Sequence, residues 1–231
     1  MVSPSHGAGA MGTLALFDLD HTLLSGDSDV LWCDWLMAKG LLDRATFEPR
    51  NAAMESGYRA GTVTVAEFCG FYVGTLAGRS LAQWAPLRER FLAEVIAPRI
   101  PAAARAQVRR HQEAGHTVVM TTATNRVITE LTAQHLGIGH LIATECEVGE
   151  DGRYTGRVSG TPNMREGKVT RLQAWLAERD SSLERVDSIA YSDSMNDAPL
   201  LAAARRAVAV DPDPRLAALA AERGWEILRW R

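Results

Sequence analysis

Two aspartates stand at i and i+2 behind an apolar run, in Leu14-Ala15-Leu16-Phe17-Asp18-Leu19-Asp20-His21-Thr22-Leu23. Residues i and i+2 of a strand point to one side, so Asp18 and Asp20 converge just past a strand end. Carboxylates that close repel unless a cation or a proton lies between them. The spacing predicts a divalent-metal site at the carboxyl end of a strand, where open α/β sheets keep their chemistry. A second acidic pair, Asp193 and Asp197, follows the apolar stretch Val186 to Tyr191, with Asn196 between them. It meets the first pair only if the two strands are neighbours. An all-oxygen donor set suits Mg²⁺ more than Zn²⁺, and the sequence offers no His or Cys cluster as an alternative. Taken alone, Asp193 and Asp197 also suit a helix N-cap with a first-turn acid.

Two further signals lie at strand ends or helix starts. Thr121-Thr122-Ala123-Thr124-Asn125 closes an apolar strand and opens a helix. A hydroxyl and free main-chain N–H groups there favour an anion, phosphate above all. Lys168, in Arg165-Glu166-Gly167-Lys168, begins an amphipathic helix. A cation is unfavourable beside the positive end of a helix, so something negative is expected opposite it. The four signals combine into one chemistry. Acids hold Mg²⁺, a hydroxyl with N–H groups and a lysine hold phosphoryl oxygens, and a free carboxylate faces phosphorus as nucleophile.

The elements that must position these groups are legible in the rest of the chain. It has 231 residues, 46% of them hydrophobic, with a formal net charge of -3. That is enough for a large core. Scattered Lys and Arg exclude a basic surface for nucleic acid or membrane, and no apolar stretch spans a bilayer. Residues 1–11 are small and polar without an apolar core, which predicts a disordered tail rather than a secretory signal, with Met11 an alternative start. Cys33, Cys69 and Cys146 are far apart in apolar surroundings, which predicts free thiols in a reducing cytosol. From Asp27 or Ser28, either of which can cap a helix, to about Pro98 the pattern is helical throughout. Such a block is too long for one crossover and predicts an inserted helical domain. From Pro101 strands and helices alternate, with an Asp151-Gly152 hairpin turn. This predicts a mostly parallel sheet covered on both faces.

Phe17-Asp18-Leu19-Asp20-His21-Thr22-Leu23 resembles the first motif, D-x-D-x-T, of the haloacid dehalogenase superfamily. Thr122 matches the second motif, with Thr121 as the register alternative, Lys168 the third, and Asp193-Ser194-Met195-Asn196-Asp197 the fourth, D-x-x-N-D. The helical block resembles the cap of the subfamily (IB) that includes phosphoserine phosphatases. Gly26-Asp27-Ser28-Asp29, Thr122-Ala123-Thr124-Asn125, Gly152-Arg153-Tyr154-Thr155-Gly156 and Tyr191-Ser192-Asp193-Ser194 extend the likeness to a bacterial group with histidinol-phosphatase-like members. The resemblance implies an α/β fold, a Rossmann-like doubly wound sheet (12–25 and 101–231) with an all-helical cap (26–100). It implies that Asp18 attacks phosphorus and that Asp20 protonates the leaving alcohol and then activates water. It implies Mg²⁺ on the Asp18 carboxylate, the Asp20 carbonyl and Asp193, with Asp197 reaching it through water. Thr122, Lys168 and Asn196 would hold the phosphoryl group.

In such caps an acid nine residues past the nucleophile reads the substrate amine, and Asp27 has that spacing. The family's carboxylate-reading arginine aligns near Tyr72, and no Arg lies between Arg59 and Arg79. A carboxylate buried without a cation costs several kcal/mol (~). This speaks against phosphoserine and for an amine without a carboxylate, such as L-histidinol phosphate, with Trp32, Trp35, Tyr58 or Tyr72 beside its imidazole. Arg59 or Arg79 turned toward the leaving-group pocket would overturn that argument. The expectation is a cytosolic phosphomonoesterase acting on a small phosphorylated metabolite, a monomer or weak dimer, without nucleic-acid or membrane partners. Alternatives are phosphoserine phosphatase, phosphotransfer to an alcohol, and a non-catalytic binding module on the same fold.

Overall fold

The computed structural model describes residues 12–230. The expected tail, residues 1–11, and the choice of start lie outside them. Strand β1 (Leu14–Phe17) is buried at every position. Leu14 and Leu16 enter the core on one face, while Ala15 and Phe17 enter the core on the other. A strand covered on both sides has no room for polar alternation, which is why it reads as an unbroken apolar run. It pairs in parallel with β2 (Thr117–Asn125) on one side and β5 (Ser188–Ser192) on the other.

The remaining strands are β3 (His140–Val148), β4 (Tyr154–Ser159), β6 (Arg206–Val210) and β7 (Glu226–Leu228). The order is β4-β3-β2-β1-β5-β6-β7. The β3–β4 ladder is antiparallel and the others are parallel. Asp151-Gly152 makes the β3–β4 turn, with Gly152 at φ 74, a conformation that glycine adopts without strain. The sheet reverses its order at β1, so the carboxyl end of β1 is the topological switch point. Register then fixes the site. Phe17 lies opposite both Met120 and Tyr191. Asp18 follows Phe17 directly, while Thr122 and Asp193 lie two residues past their partners, all at one sheet edge.

Helices α1 (Ser28–Ala38), α2 (Arg44–Ala60), α3 (Val65–Gly74) and α4 (Leu81–Phe91) all lie between β1 and β2 in sequence. Each start is capped by a short polar side chain: Asp27, Asp43, Thr64 and Ser80 accept main-chain N–H groups. Their packing divides them. Trp32 and Trp35 of α1 and Trp84 and Phe91 of α4 join the cluster that holds Phe17 and Tyr191 beneath the sheet. Phe68, Cys69, Phe71 and Tyr72 of α3 form a separate cluster, with Phe47, Met54 and Tyr58 of α2 against it. The remaining helices are α5 (Ala102–Glu113), α6 (Arg126–His135), α7 (Glu166–Ala177), α8 (Ala198–Ala203) and α9 (Pro214–Arg223). Cys33 and Cys69 are buried free thiols; Cys146 is free and half-buried. Among the described residues no helix is long and apolar enough to cross a membrane.

Candidate active site

Asp18 leaves β1 with 6% of its surface exposed. One oxygen accepts from Lys168 Nζ at 2.7 Å; the same Nζ donates to Asp197 at 2.6 Å. Lys168 is the third residue of α7 and is only 2% exposed. The helix brings a cation to its own positive end because two buried carboxylates wait there. Gly167 lets the helix start come this close: a side-chain carbon there would collide with the Pro162 carbonyl oxygen. Burial pulls the Lys168 pKa down, but attraction to Asp18 and Asp197 overrides it and the net shift is upward.

The other oxygen of Asp18 faces Thr22. The Thr22 hydroxyl accepts the Asp193 N–H at 3.0 Å. It lies 3.3 Å from Asp18 Oδ2 and 3.2 Å from Asp193 Oδ1. It has one proton for two carboxylates. Burial raises Asp18, Lys168 lowers it, and Asp197 and Asp20 raise it again, to about 7. Burial, then the charges of Asp18 and Asp197, lift Asp193 well above the usual carboxylate range. The pocket holds more negative charge than Lys168 alone can offset.

Asp197 stands at the N-cap position of α8, but its side chain caps nothing there: Oδ2 takes Lys168 and also the Ser192 hydroxyl at 2.8 Å. That oxygen is committed to the lysine, which leaves Oδ1 for the expected water-mediated reach. Asp20 accepts the Ser28 N–H on Oδ1 at 2.7 Å, and its Oδ2 receives Thr124 at 2.9 Å and Thr122 at 3.3 Å. Thr121 instead accepts from Asn163, so Thr122 is the hydroxyl that faces the site. Asn125 caps α6 through Ile128 N–H, an ordinary capping role. Asn196 donates to the Tyr58 carbonyl at 3.4 Å and accepts from Arg165, whose guanidinium also reaches the Val63 carbonyl. Asn196 thus fastens α2 to the core instead of pointing at the Asp18 carboxylate.

Beside Asp193 opens a cavity of about 430 Å³, with Asp27, Glu55, Tyr58, Arg59 and Arg215 on its walls. Tyr58 sits close enough to Asp197, Asp18, Asp193 and Asp27 that their charges, after burial, push its phenol pKa upward. Tyr72 is not at the cavity. It is 1% exposed and donates to Asn51, so the expectation that it reads the substrate is corrected: it is core. Trp32 and Trp35 stack within the core beside Phe91. Arg79 lies over the Trp84 ring. Arg59, however, does line the cavity, paired with Glu55 at 2.7 Å. The argument from a missing arginine is therefore overturned.

A haloacid dehalogenase-like hydrolase model matches residues 15–202. The chain belongs to the haloacid dehalogenase-like hydrolase family. Within it, the chain is 41% identical over 222 residues to the histidinol-phosphatase of Neisseria meningitidis serogroup C, covering 96% of this chain and 100% of that one. It is 33% identical to the phosphoserine phosphatase SerB1 of Mycobacterium tuberculosis, over 94% of this chain and 70% of that one. A crystal structure of a protein of unknown function from Bordetella pertussis Tohama I superposes with a TM-score of 0.89 at 43% identity, covering 94% and 98%. The phospho-aspartyl intermediate analogue of a phosphoserine phosphatase shares the fold, with a TM-score of 0.68 at 18% identity over 96% and 94%.

Several groups of this hydrolase escaped the sequence reading. Thr22 stands inside the first motif but carried no assigned role. Asn163 is fully buried and its amide holds Thr121 Oγ together with the Thr122 and Ile142 carbonyls, setting the end of β2. Nothing in the sequence marks a lone Asn in a loop. Asp27 carries a testable charge. Burial, then Asp20, raises its pKa to about 8, although its carboxylate caps α1. The unfolded chain gives up this proton near the ordinary 3.8, while the folded chain keeps it. The stability it contributes is full below that value and is lost as pH rises toward 8. Asp27→Asn keeps the capping acceptor without the charge. Its melting temperature is expected to gain on the wild type between about pH 5 and pH 8, and a gap that stays constant with pH would refute this.

Proposed function

We propose that the protein is a Mg²⁺-dependent phosphomonoesterase that works through an aspartyl-phosphate on Asp18 and hydrolyses L-histidinol phosphate. The observation that carries the chemistry is the buried Asp18 carboxylate, held by Lys168 and facing Asp193 beside a cavity. Asp18 attacks phosphorus as the bond to the leaving alcohol breaks, and Asp20 gives that alcohol its proton. Asp20 then takes a proton from the water that attacks the phosphoryl group, releasing phosphate and restoring Asp18. Lys168 favours the ionised form of Asp18 and offers charge to phosphoryl oxygens. Thr122 exchanges its long bond to Asp20 for one of those oxygens. Asp197 positions Lys168. Helices α2 and α3 serve as the cap over the leaving group.

The donor set fits a divalent ion. Asp18 and Asp193 share one hydroxyl proton, and burial first, then neighbouring acids, raises both pKa values. Among the described residues no three His, Cys, Asp or Glu side chains converge as a metal cage. Two carboxylates, the Asp20 carbonyl and water are a typical Mg²⁺ complement, since this ion keeps several waters. When bound, the ion supplies Lewis acidity and screens Asp18 from the phosphate dianion.

The Neisseria relative supports the substrate, and so do the acids Asp27 and Glu55 and the Tyr58 ring, which suit an amine and an imidazole. Arg59, and Arg215, which makes no ion pair among the described residues, favour a second reading, phosphoserine. The unpaired buried thiols support a cytosolic location. Phosphate release from histidinol phosphate, phosphoserine and p-nitrophenyl phosphate, with Mg²⁺ and with EDTA, tests the proposal. Expected is metal-dependent release, with kcat/KM for histidinol phosphate about tenfold or more above phosphoserine. The reverse order supports the second reading. No metal-dependent release from any of the three sinks both.

A further inference from the structure

Thr124 is 1% exposed and stands between two acids. Its hydroxyl oxygen lies 2.9 Å from Asp20 Oδ2 and 3.0 Å from Asp29 Oδ2, and Ser28 Oγ reaches it at 3.1 Å. A hydroxyl has one proton to give. If it goes to Asp20, the Asp29 oxygen faces a lone pair unless it brings a proton of its own. Asp29 is the better place for that proton. It is 2% exposed, and its other oxygen has no hydrogen-bond partner among the described residues. An ionised carboxylate so placed would leave a buried charge unsolvated. Asp20 is less buried and has the Ser28 N–H on its other oxygen.

We propose that Asp29 is a neutral carboxylic acid in the working enzyme, and that it positions Asp20 by donating to Thr124, whose own proton is thereby turned onto Asp20 Oδ2. The titratable groups around Asp29 are uniformly acidic or neutral. Asp27 and Asp20 face it from the β1–α1 loop. The thiols of Cys33 in α1, Cys69 in α3 and Cys146 in β3 lie close enough that a charge on Asp29 would raise their pKa values. Among the described residues no cation pairs with it. Burial, then Asp27 and Asp20, push its pKa well up. An ionised Asp29 would compete for the Thr124 proton and leave Asp20 Oδ2 with only the longer Thr122 bond. A protonated one removes the competition. Asp29 touches neither the phosphoryl group nor the nucleophile; it acts through Thr124 and Asp20. This inference rests on Asp20 as the acid and base of the proposed reaction.

The test compares wild type, Asp29→Asn and Asp29→Leu in Mg²⁺ buffer, with Asp20→Asn as the control. An amide still donates to Thr124, so Asp29→Asn is expected to keep kcat on histidinol phosphate within about threefold. Asp29→Leu keeps the volume without the donor and is expected to lose about tenfold in kcat at unchanged KM, and less on p-nitrophenyl phosphate, whose leaving group needs little acid. Equal losses for Asn and Leu, or for Leu on both phosphates, would overturn the proposal. The second readout needs no activity: the infrared difference spectrum, wild type minus Asp29→Asn at neutral pH, is expected to hold one carboxylic-acid carbonyl band, beyond that of Asp27, which both proteins keep. If Asp29→Leu does not fold, this band alone decides; an unchanged spectrum rejects a neutral Asp29. Full turnover by Asp20→Asn on both phosphates refutes the acid–base reading instead, while the band still judges Asp29.

Discussion

Asp18→Asn is expected to abolish phosphate release, with kcat on every phosphomonoester lower by about 10⁴-fold or more. The reason lies in what the amide retains. Asn fills the same volume, and its oxygen still accepts the Lys168 proton that Asp18 Oδ1 takes at 2.7 Å. Binding of substrate is therefore expected to survive. The amide lacks the charge and the free lone pair that attack phosphorus. The assay pairs phosphate release with intact-protein mass spectrometry after substrate addition. The wild type is expected to carry one phosphoryl group in an acid-quenched sample and the variant none. A variant that still turns over, or that still becomes phosphorylated, would move the nucleophile away from Asp18.

The second large effect is on stability as well as on rate. Lys168→Met replaces a cation buried to 2% exposure by an apolar chain of similar length. Asp18 and Asp197, buried at 6% and 2%, then lose the charge that both contact. Breaking a buried pair in this one-sided way costs about 3–5 kcal/mol. The sign with pH follows. Asp18 is raised by burial and lowered by Lys168, so without the lysine it binds its proton more tightly in the folded state than in the unfolded one. Stability is then retained at low pH and lost as pH rises through the elevated Asp18 pKa. Urea titrations at acid and at alkaline pH check this. The deficit is expected to be larger on the alkaline side, and Lys168→Met with Asp197→Asn is expected to recover part of it without recovering turnover. A deficit that is equal at both pH values would mean that lost packing, not uncompensated charge, dominates.

These expectations separate what the chain reveals in one dimension from what it hides. The Asp18 motif, the strand ends at Thr122 and Asp193, and their common edge were legible because parallel strands align their carboxyl ends. Lys168 was legible as an anomaly, a cation where the helix field opposes it. The pocket walls were not. Tyr72 and Tyr58 both show helical spacing, and spacing says only that a side chain is inward of something. Which faces the α3 cluster and which faces Asp18 depends on how α2 rotates over the sheet. Arg59 was excluded from the leaving-group argument by its distance along the sequence from the aligned position, whereas α2 brings it to the cavity wall. Asp29 showed only as the last residue of the Gly26-Asp27-Ser28-Asp29 likeness and as a polar residue near a helix start, and neither gives it a role.

Two core side chains, Asn196 and Arg165, hold the α2 region by the carbonyl oxygens of Tyr58 and Val63. Carbonyl oxygens are the same in every residue. The attachment therefore does not read which side chains α2 carries, while the cavity reads little else. On the proposed function, replacements at Glu55, Tyr58 or Arg59 are expected to change the accepted leaving group without altering the atoms by which the wall is moored. Attachment and selectivity are written in different parts of the same residues, so a lineage can exchange one phosphorylated metabolite for another while its docking hardware stays constant.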